Sequence, residues 1–291
     1  AILINGADPA EEARVLASRL LDAIARPYQV AGHSVVIGLS LGISMVEDHR
    51  SGRDRILQNA DLALYKAKEQ GRGCFRFFEP QMDAQMQQRR SLEMDLRQGM
   101  AEGQFCIHYQ PLVDLASRRL NGFEALLRWQ HPSRGLLQPD SFLPLANEIG
   151  LITPLGQWVL EQACRDAAQW TVPLKVAVNL AASQLNGLLD QRVMQALEKT
   201  GLPASRLELE VTENALFSHI EAATPSLLQL KAAGVTIVMD DFGTGYSSLG
   251  YLRAFPFDKV KIDKSYVHDL VTDSNAGAVI NAVTVLCNQL G

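Results

Sequence analysis

One stretch, residues 235–248, restricts the fold more than any other part of the chain. It opens with an apolar run rich in β-branched residues, ends that run in the adjacent carboxylates of Asp240 and Asp241, and continues into a glycine-rich segment. An apolar run of this kind, bounded by turn residues, predicts a buried parallel strand. Parallel α/β folds place their chemistry at the carboxyl ends of the strands. Because adjacent carboxylates repel each other, we expect a cation beside them, and a divalent metal ion is the favoured candidate.

The composition excludes several classes of protein. The chain has 291 residues, enough for two domains, and its net charge of −5 argues against a broad face for a nucleic-acid polymer. No apolar run approaches the roughly 20 residues needed to span a bilayer, so we expect no membrane contact from this chain and a cytoplasmic location. An upstream segment could still tether a longer protein to a membrane. The four cysteines show no Cys-x-x-Cys spacing, so any metal should have oxygen ligands.

Residues 1–79 alternate between short strand patterns and amphipathic helix patterns. They predict a strand from residue 1, a helix between Asp8 and Pro27, a hairpin over residues 28–39 whose second strand extends to residue 44, and a helix from about Arg53 to Gln70. A segment of this size buries too little surface for an independent core. Residues 80–103 are predicted to form a helical linker, and residues 104–291 a second domain.

The second domain repeats strand and helix patterns along its length. Repeated β–α units predict parallel strands with right-handed crossovers. The segment lacks a dinucleotide-binding glycine fingerprint, which favours a TIM-like (β/α) barrel over a doubly wound sheet. The predicted fold class is therefore α/β, a barrel preceded by a partial α+β domain.

Polar residues interrupt five of the predicted barrel strands. An isolated buried charge would cost several kcal/mol, so these residues should be partners of one another or of a metal ion. The carboxyl ends of barrel strands meet at one mouth, where we expect the side chains to converge. Oxygen donors favour Mg²⁺ or Mn²⁺. The set comprises Glu124, Asn179, Glu210, Asp240, Asp241 and one cation, Lys261.

This constellation resembles the EAL domain family, the cyclic di-GMP phosphodiesterases, over residues 92–291. The resemblance is carried by residues 109–111, 124–128, 179–181, 210–213, 240–248 and 261–263. Residues 1–79 resemble the C-terminal half of a GGDEF (diguanylate cyclase) domain, through residues 40–44 and 60–72. Together they resemble a GGDEF–EAL tandem protein.

The EAL resemblance implies hydrolysis of cyclic di-GMP to linear pGpG with two metal ions, in bacterial second-messenger signalling. Glu124, Asn179, Glu210 and Asp240 would hold one ion, and Asp240 and Asp241 the other. Lys261 would lie beside the attacking water, and Glu213 would anchor the loop after Asp241. Gln110, Arg128 and Asp263 would lie on the substrate side, with a structural carboxylate as the alternative role for Asp263. A homodimer through the region of residues 241–248 is a further expectation of the family.

Three alternatives are weighed against this interpretation. A non-catalytic cyclic di-GMP receptor is the main one, although such family members usually lose residues equivalent to Glu124 or Asp240. A sugar-phosphate barrel enzyme that uses Lys261 as a Schiff base would need a desolvated lysine without metals, and the five carboxylate or amide donors predicted nearby argue against it. A kinase interpretation of residues 241–243 lacks the accompanying kinase motifs.

The chain ends before the last strands of the EAL family, including a Glu that helps hold the second ion. We therefore expect these 291 residues alone to be poorly active or misfolded, and the natural protein to continue. We also expect no cyclase activity, because the GGDEF turn itself lies upstream.

Overall fold

The structure, a computed structural model, describes residues 1–46, 52–243, 255, 257–271 and 274–290. The chain divides into two compact units, Ala1–Met94 and Asp95–Gly291. The division falls inside a helix, Pro80–Glu102, that covers most of the predicted linker. Among the described residues, no helix has both the length and the apolar character that crossing a membrane requires.

The first unit contains helices and short strands. Asp8 caps the first helix, because its carboxylate accepts a hydrogen bond from the backbone N–H of Glu11 at 3.2 Å. The elements are α1 (Pro9–Ile24), β1 (Tyr28–Val30), β2 (His33–Val35), β3 (Leu41–Ile43), α2 (Arg53–Glu69), β4 (Phe75–Phe77) and the beginning of α3 (Pro80–Glu102).

Two predictions for this unit are wrong. Residues 1–4 form no strand, and Leu3 is 91% exposed, because no strand of the described residues pairs with them. Strand β3 does not extend β2 but pairs in parallel with β4, with Leu41 opposite Phe75. The predicted hairpin of β1 and β2 is confirmed, with Tyr28 opposite Val35.

The second unit carries the main sheet and the helices that connect its strands. Its elements are β5 (Phe105–Val113), β6 (Leu120–His131), β7 (Gly135–Leu137), α4 (Leu143–Glu148), α5 (Ile152–Ala168), β8 (Lys175–Leu180), α6 (Leu189–Thr200), β9 (Leu207–Thr212), α7 (Glu213–Ala232), β10 (Thr236–Phe242), β11 (Lys259–Ile262) and the helices Lys264–His268 and Ser274–Leu290.

The strand order of this sheet is β5-β6-β8-β9-β10-β11, and β7 pairs with β6 at one end. Neighbouring strands from β6 through β8, β9 and β10 to β11 are parallel, as the repeated β–α units predict. The first pair is an exception, because β5 is antiparallel to β6, with Phe105 opposite Trp129. Only residues 114–119 join these strands, too few for a crossover connection.

The pleat of each strand separates apolar residues from the polar residues of the candidate site. On β6, the buried residues Ala125, Leu127 and Trp129 alternate with Glu124 and Arg128. On β8, buried Val176, Val178 and Leu180 alternate in the same way with Lys175 and Asn179. Successive side chains of a strand point to opposite faces, so the polar residues share one face of the sheet. The core includes buried side chains of the connecting helices, among them Leu160, Val193 and Leu230.

Candidate active site

Carboxylates from three strands converge on the ammonium of Lys261 in β11. The Nζ atom lies 2.7 Å from Oε2 of Glu210 and 3.2 Å from Oε2 of Glu124. It also lies 3.4 Å from Oδ2 of Asp240. These acids come from β9, β6 and β10, so four strands of the sheet contribute to one cluster. The structure therefore brings together four of the residues predicted to form the site.

The register of the parallel strands explains this convergence. Asn179 of β8 lies opposite Glu210 of β9, and Asp240 of β10 lies opposite Thr212. The amide of Asn179 donates a hydrogen bond from Nδ2 to Oε1 of Glu124 at 2.8 Å. Asn179 is thus the fifth predicted residue that the structure places in the cluster.

Burial and charge work against each other at this cluster. The side chain of Glu210 is 1% exposed, and burial raises its pKa to about 7. Lys261 opposes this rise, whereas the nearby carboxylates of Glu124 and Asp240 add to it. For Lys261, burial disfavours the ammonium, but the surrounding carboxylates outweigh burial and raise its pKa above the ordinary value. A protonated lysine cannot act as the nucleophile of a Schiff base, so the structure argues against that alternative.

Asp241 has an unusual backbone conformation directly beside the cluster. Its φ of 54° lies in the left-handed region, which a residue with a side chain seldom adopts. The backbone N–H of Asp241 donates to Oδ1 of Asp240 at 2.9 Å, which ties the two residues together. Burial raises the pKa of the Asp241 carboxyl, and the charges of Asp240 and Asp263 add to that rise. Strained backbone of this kind is concentrated at functional sites.

Asp263 has a clear structural role at the end of β11. It caps the helix Lys264–His268 and accepts a hydrogen bond from the backbone N–H of Ser265 at 2.9 Å. Hydrogen bonds from Ser265 hold the pKa of Asp263 below its ordinary value. The structural alternative for Asp263 is therefore supported by these contacts.

Glu213 and Tyr266 hold the backbone that follows Asp241. Glu213, the first residue of α7, is buried and accepts a hydrogen bond from the N–H of Gly243 at 3.2 Å. The Tyr266 hydroxyl donates to the carbonyl oxygen of Gly243 at 2.8 Å. Gly243 has a φ of +100°, and a Cβ atom there would lie 2.8 Å from the Tyr266 ring. Tyr266 is not among the residues predicted from the sequence, where its signal is its place five residues after Lys261.

Gln110 and Arg128 lie on the strands next to the cluster. Gln110 of β5 is exposed and lies directly opposite Glu124 in the β5–β6 pair. Arg128 is four residues along β6 from Glu124, and so on the same face. Its guanidinium donates to the backbone oxygen of Leu127 at 2.7 Å.

The cluster has the chemistry of a hard-cation site. Three carboxylates meet at one point, and the Lys261 ammonium already places positive charge there. The described part of the chain contains no group of three or more His, Cys, Asp or Glu side chains arranged as a ready metal site. Nevertheless, the carboxylate oxygens that meet here are the donor type that hard divalent cations prefer.

A second polar layer, absent from the residues predicted from the sequence, lies beside this cluster. Glu208 of β9 accepts hydrogen bonds at Oε1 from Lys175 at 2.8 Å and from Lys259 at 2.5 Å. The Glu208 side chain is only 4% exposed. Burial alone would raise its pKa, but the hydrogen bonds from the two lysines lower the pKa below its ordinary value. The signal in the sequence is the two-residue spacing of Glu208 from Glu210 and of Lys259 from Lys261, which places each pair on one face of its strand.

These features define an α/β domain whose parallel strands bring carboxylates together around one lysine. Residues 93–291 match the model of the EAL domain, and residues 1–74 match that of the diguanylate cyclase, GGDEF domain. The chain belongs to the EAL domain family, with a GGDEF segment before the EAL domain. The predicted resemblance to a GGDEF–EAL tandem protein is confirmed.

Known proteins resemble the chain along nearly its whole length. It is 43% identical over 295 residues to the bifunctional diguanylate cyclase/cyclic di-GMP phosphodiesterase MucR of Pseudomonas aeruginosa, an alignment that covers 99% of this chain and 43% of MucR. Across three curated relatives, the chain spans 35% to 43% of the relative's length.

Solved structures confirm the predicted fold class. The PaMucR phosphodiesterase in complex with c-di-GMP is similar, with a TM-score of 0.66 and 43% identity, over 69% of this chain and 83% of that one. Klebsiella pneumoniae BlrP1, solved with calcium and cyclic di-GMP, has a TM-score of 0.58 and 27% identity, over 65% of this chain and 47% of that one. The predicted dimer contact at residues 241–248 lies largely outside the described residues, because residues 244–248 are not among them.

Proposed function

We propose that the protein hydrolyses cyclic di-GMP to linear pGpG with the help of divalent metal ions. The observation that carries this proposal is the convergence of Glu124, Glu210 and Asp240 on one cationic point, with Asn179 bonded to Glu124. The likeness to MucR, which is named a cyclic di-GMP phosphodiesterase, supports the choice of substrate.

The metal ligands in this proposal are the residues of the cluster and the residue beside it. Glu124, Asn179, Glu210 and Asp240 would hold one Mg²⁺ or Mn²⁺, and Asp240 and Asp241 a second. When bound, such ions supply an activated water nucleophile and neutralise charge on the phosphoryl oxygens. The calcium in the BlrP1 complex supports a divalent cation in a domain of this family.

Lys261 and Glu213 act through charge and position. Lys261 keeps its proton, so its ammonium can orient a water molecule or stabilise negative charge as the phosphodiester is attacked. Glu213 holds Gly243, and with it the backbone after Asp241, at a fixed place beside the cluster. Neither residue needs to gain or lose a proton for these roles.

The substrate would contact the polar face near β5 and β6. Gln110 is exposed beside Glu124 and can hydrogen-bond to a guanine edge or a phosphate. The guanidinium of Arg128 suits bidentate contact with phosphate. Both hydrogen bonds from Ser265 reach Oδ1 of Asp263, so its other carboxylate oxygen can contact the substrate while the helix stays capped.

A receptor that binds cyclic di-GMP without hydrolysing it is the second candidate. The observation that favours it is the Lys261 ammonium, which lies where a metal ion would share the same carboxylates. A lysine that stayed there would keep the site free of metal and leave the substrate intact.

Turnover by the complete protein separates the two candidates. Cyclic di-GMP would be incubated with protein and Mn²⁺, and pGpG measured by chromatography, beside the variant Glu124→Ala. The enzyme predicts pGpG formation that requires Mn²⁺ and falls at least about a hundredfold in the variant, as for loss of a principal electrostatic contact. Binding of cyclic di-GMP without any pGpG would refute the enzyme and support the receptor.

A cytoplasmic location and a homodimer formed through the EAL domain are part of the proposal. Sedimentation of the complete protein at several concentrations would test the dimer, and fractionation of cells would test the location.

A further inference from the structure

The sheet contains two similar ion pairs, and each spans the strand between its partners. Lys261 of β11 contacts Glu210 of β9 at 2.7 Å, and Lys259 of β11 contacts Glu208 of β9 at 2.5 Å. Strand β10 lies between β9 and β11 in both cases. Only the first pair belongs to the candidate active site.

The backbone register makes the second pair informative. Glu210 lies opposite Val238 of β10, and Val238 lies opposite Lys259 of β11. Lys259 is therefore level with Glu210 in the sheet, yet its ammonium reaches back toward the start of β9, to Glu208. Lys261 reaches back in the same direction to contact Glu210. Each lysine thus bonds to an acid that lies closer to the amino end of β9 than the lysine's own level in the sheet.

This arrangement leaves Lys259 with two acids within its range. If Glu208 did not hold it, the ammonium of Lys259 could turn to the carboxylate with which it is level, Glu210. A strongly hydrated ammonium on a flexible stem readily changes partner. A second ammonium at Glu210 would compete with Lys261 and with any metal ion for the same oxygen atoms.

We propose that Glu208 is a positioning residue that holds Lys259 away from Glu210 and so keeps Glu210 available to Lys261 and to a metal ion. The inference deepens the proposed function and rests on it only for the role of Glu210 as a metal ligand. Lys175 completes the arrangement, because its ammonium bonds to the same oxygen of Glu208 from the other side. The Glu208 side chain is almost fully buried, whereas its partners Lys175 and Lys259 are 32% and 39% exposed, so the acid is the shielded centre of the arrangement.

A crystal structure of Glu208→Gln without metal tests the central step directly. The amide has the shape of the acid but no charge, so the Lys259 ammonium should leave it and lie within hydrogen-bonding distance of Glu210. An ammonium of Lys259 that stays bonded to the substituted amide would overturn the proposal. This measurement needs no catalytic activity, so it stands even if the proposed function fails.

Affinity for Mn²⁺, measured by calorimetry on the complete protein, tests the consequence for the site. Glu208→Gln should bind Mn²⁺ about tenfold more weakly, the scale of one charge-assisted hydrogen bond. The double variant Glu208→Gln with Lys259→Met should recover to within about threefold of the wild type, because the competing cation is gone. A purely structural role for Glu208 predicts that the double variant binds as weakly as the single one, or more weakly.

Two further variants complete the experiment. Lys259→Met alone, at a position that is partly exposed, should fold readily and keep Mn²⁺ affinity within about twofold, because only the competitor is removed. A weakening of about tenfold in Lys259→Met would refute the inference, whether or not Glu208→Gln folds. Glu161→Gln is the matched control, since it removes a Glu–Lys pair of 2.6 Å between α5 and α6, and it should leave Mn²⁺ affinity unchanged.

Discussion

Replacing Glu210 by Gln should make the metal-free protein more stable at pH 8 and leave its stability nearly unchanged at pH 4. Burial raises the pKa of Glu210 to about 7 from an ordinary value of 4.5. The folded state therefore holds this proton more tightly than the unfolded chain does. Between the ordinary pKa of 4.5 and the folded pKa of about 7, the folded protein binds more protons than the unfolded chain, so its stability falls as the pH rises through that range.

The size of the effect follows from the same two values. A pKa difference of one corresponds to about 1.36 kcal/mol, so ionising Glu210 in the folded protein costs about 3 kcal/mol relative to the unfolded chain. Glutamine has the shape of the protonated acid and never ionises. Above the folded pKa, Glu210→Gln should therefore gain up to about 3 kcal/mol over the wild type, and below pH 4.5 the gain should vanish.

Urea unfolding at pH 4, 6 and 8, in the presence of a chelator, measures this difference. Glu161→Gln is again the control, with the opposite sign, because hydrogen bonds from Lys199 and Gln157 hold the pKa of Glu161 below its ordinary value. The reasoning would be refuted if Glu210→Gln raised the free energy of unfolding equally at all three pH values, or if it lowered that free energy at pH 8. Added Mn²⁺ should reverse the order, since it stabilises only a protein that keeps the ligand.

Two other predictions concern residues near the site and in the core. Gly243→Ala should destabilise the second unit by about 1–3 kcal/mol in urea unfolding, because of its positive φ and the approach of Tyr266, and unchanged stability would contradict the described backbone. Cys164 is fully buried and burial raises its pKa to about 12, so iodoacetamide should not modify it in the native protein. Mass spectrometry of the intact and the urea-unfolded protein would check this, and rapid native modification of Cys164 would contradict it.

Much of the second unit follows from local pattern in the sequence. The apolar run that ends in the two carboxylates is strand β10, because a buried run of β-branched residues bounded by turns is typical of a strand in a parallel sheet. The convergence of Glu124, Glu210 and Asp240 follows in turn, because the carboxyl ends of parallel strands lie at the same edge of the sheet. Local pattern and the general geometry of parallel sheets were sufficient for these features.

Features that depend on pairing between distant segments could not be predicted in this way. The parallel pairing of β3 with β4 joins segments separated by helix α2, and nothing in residues 41–44 distinguishes it from an extension of β2. The antiparallel direction of β5 depends on the shortness of the 114–119 connection rather than on the strand pattern. The roles of Glu208 and Tyr266 depend on side-chain reach across a strand or a turn, which residue type alone does not indicate.

The energetics of Glu210 bear on the choice between enzyme and receptor. A sheet that required only stability would be better served at this position by an uncharged residue, because burial opposes the charge and Lys261 offsets only part of that opposition. A charged Glu210 is useful only where it stabilises a cation, and the ammonium of Lys261 is already stabilised by the carboxylates of Glu124 and Asp240. A third carboxylate on the same point therefore exceeds what one ammonium requires, and it matches what a divalent ion requires. The excess of negative charge over the lysine thus favours the metal-dependent enzyme over the metal-free receptor.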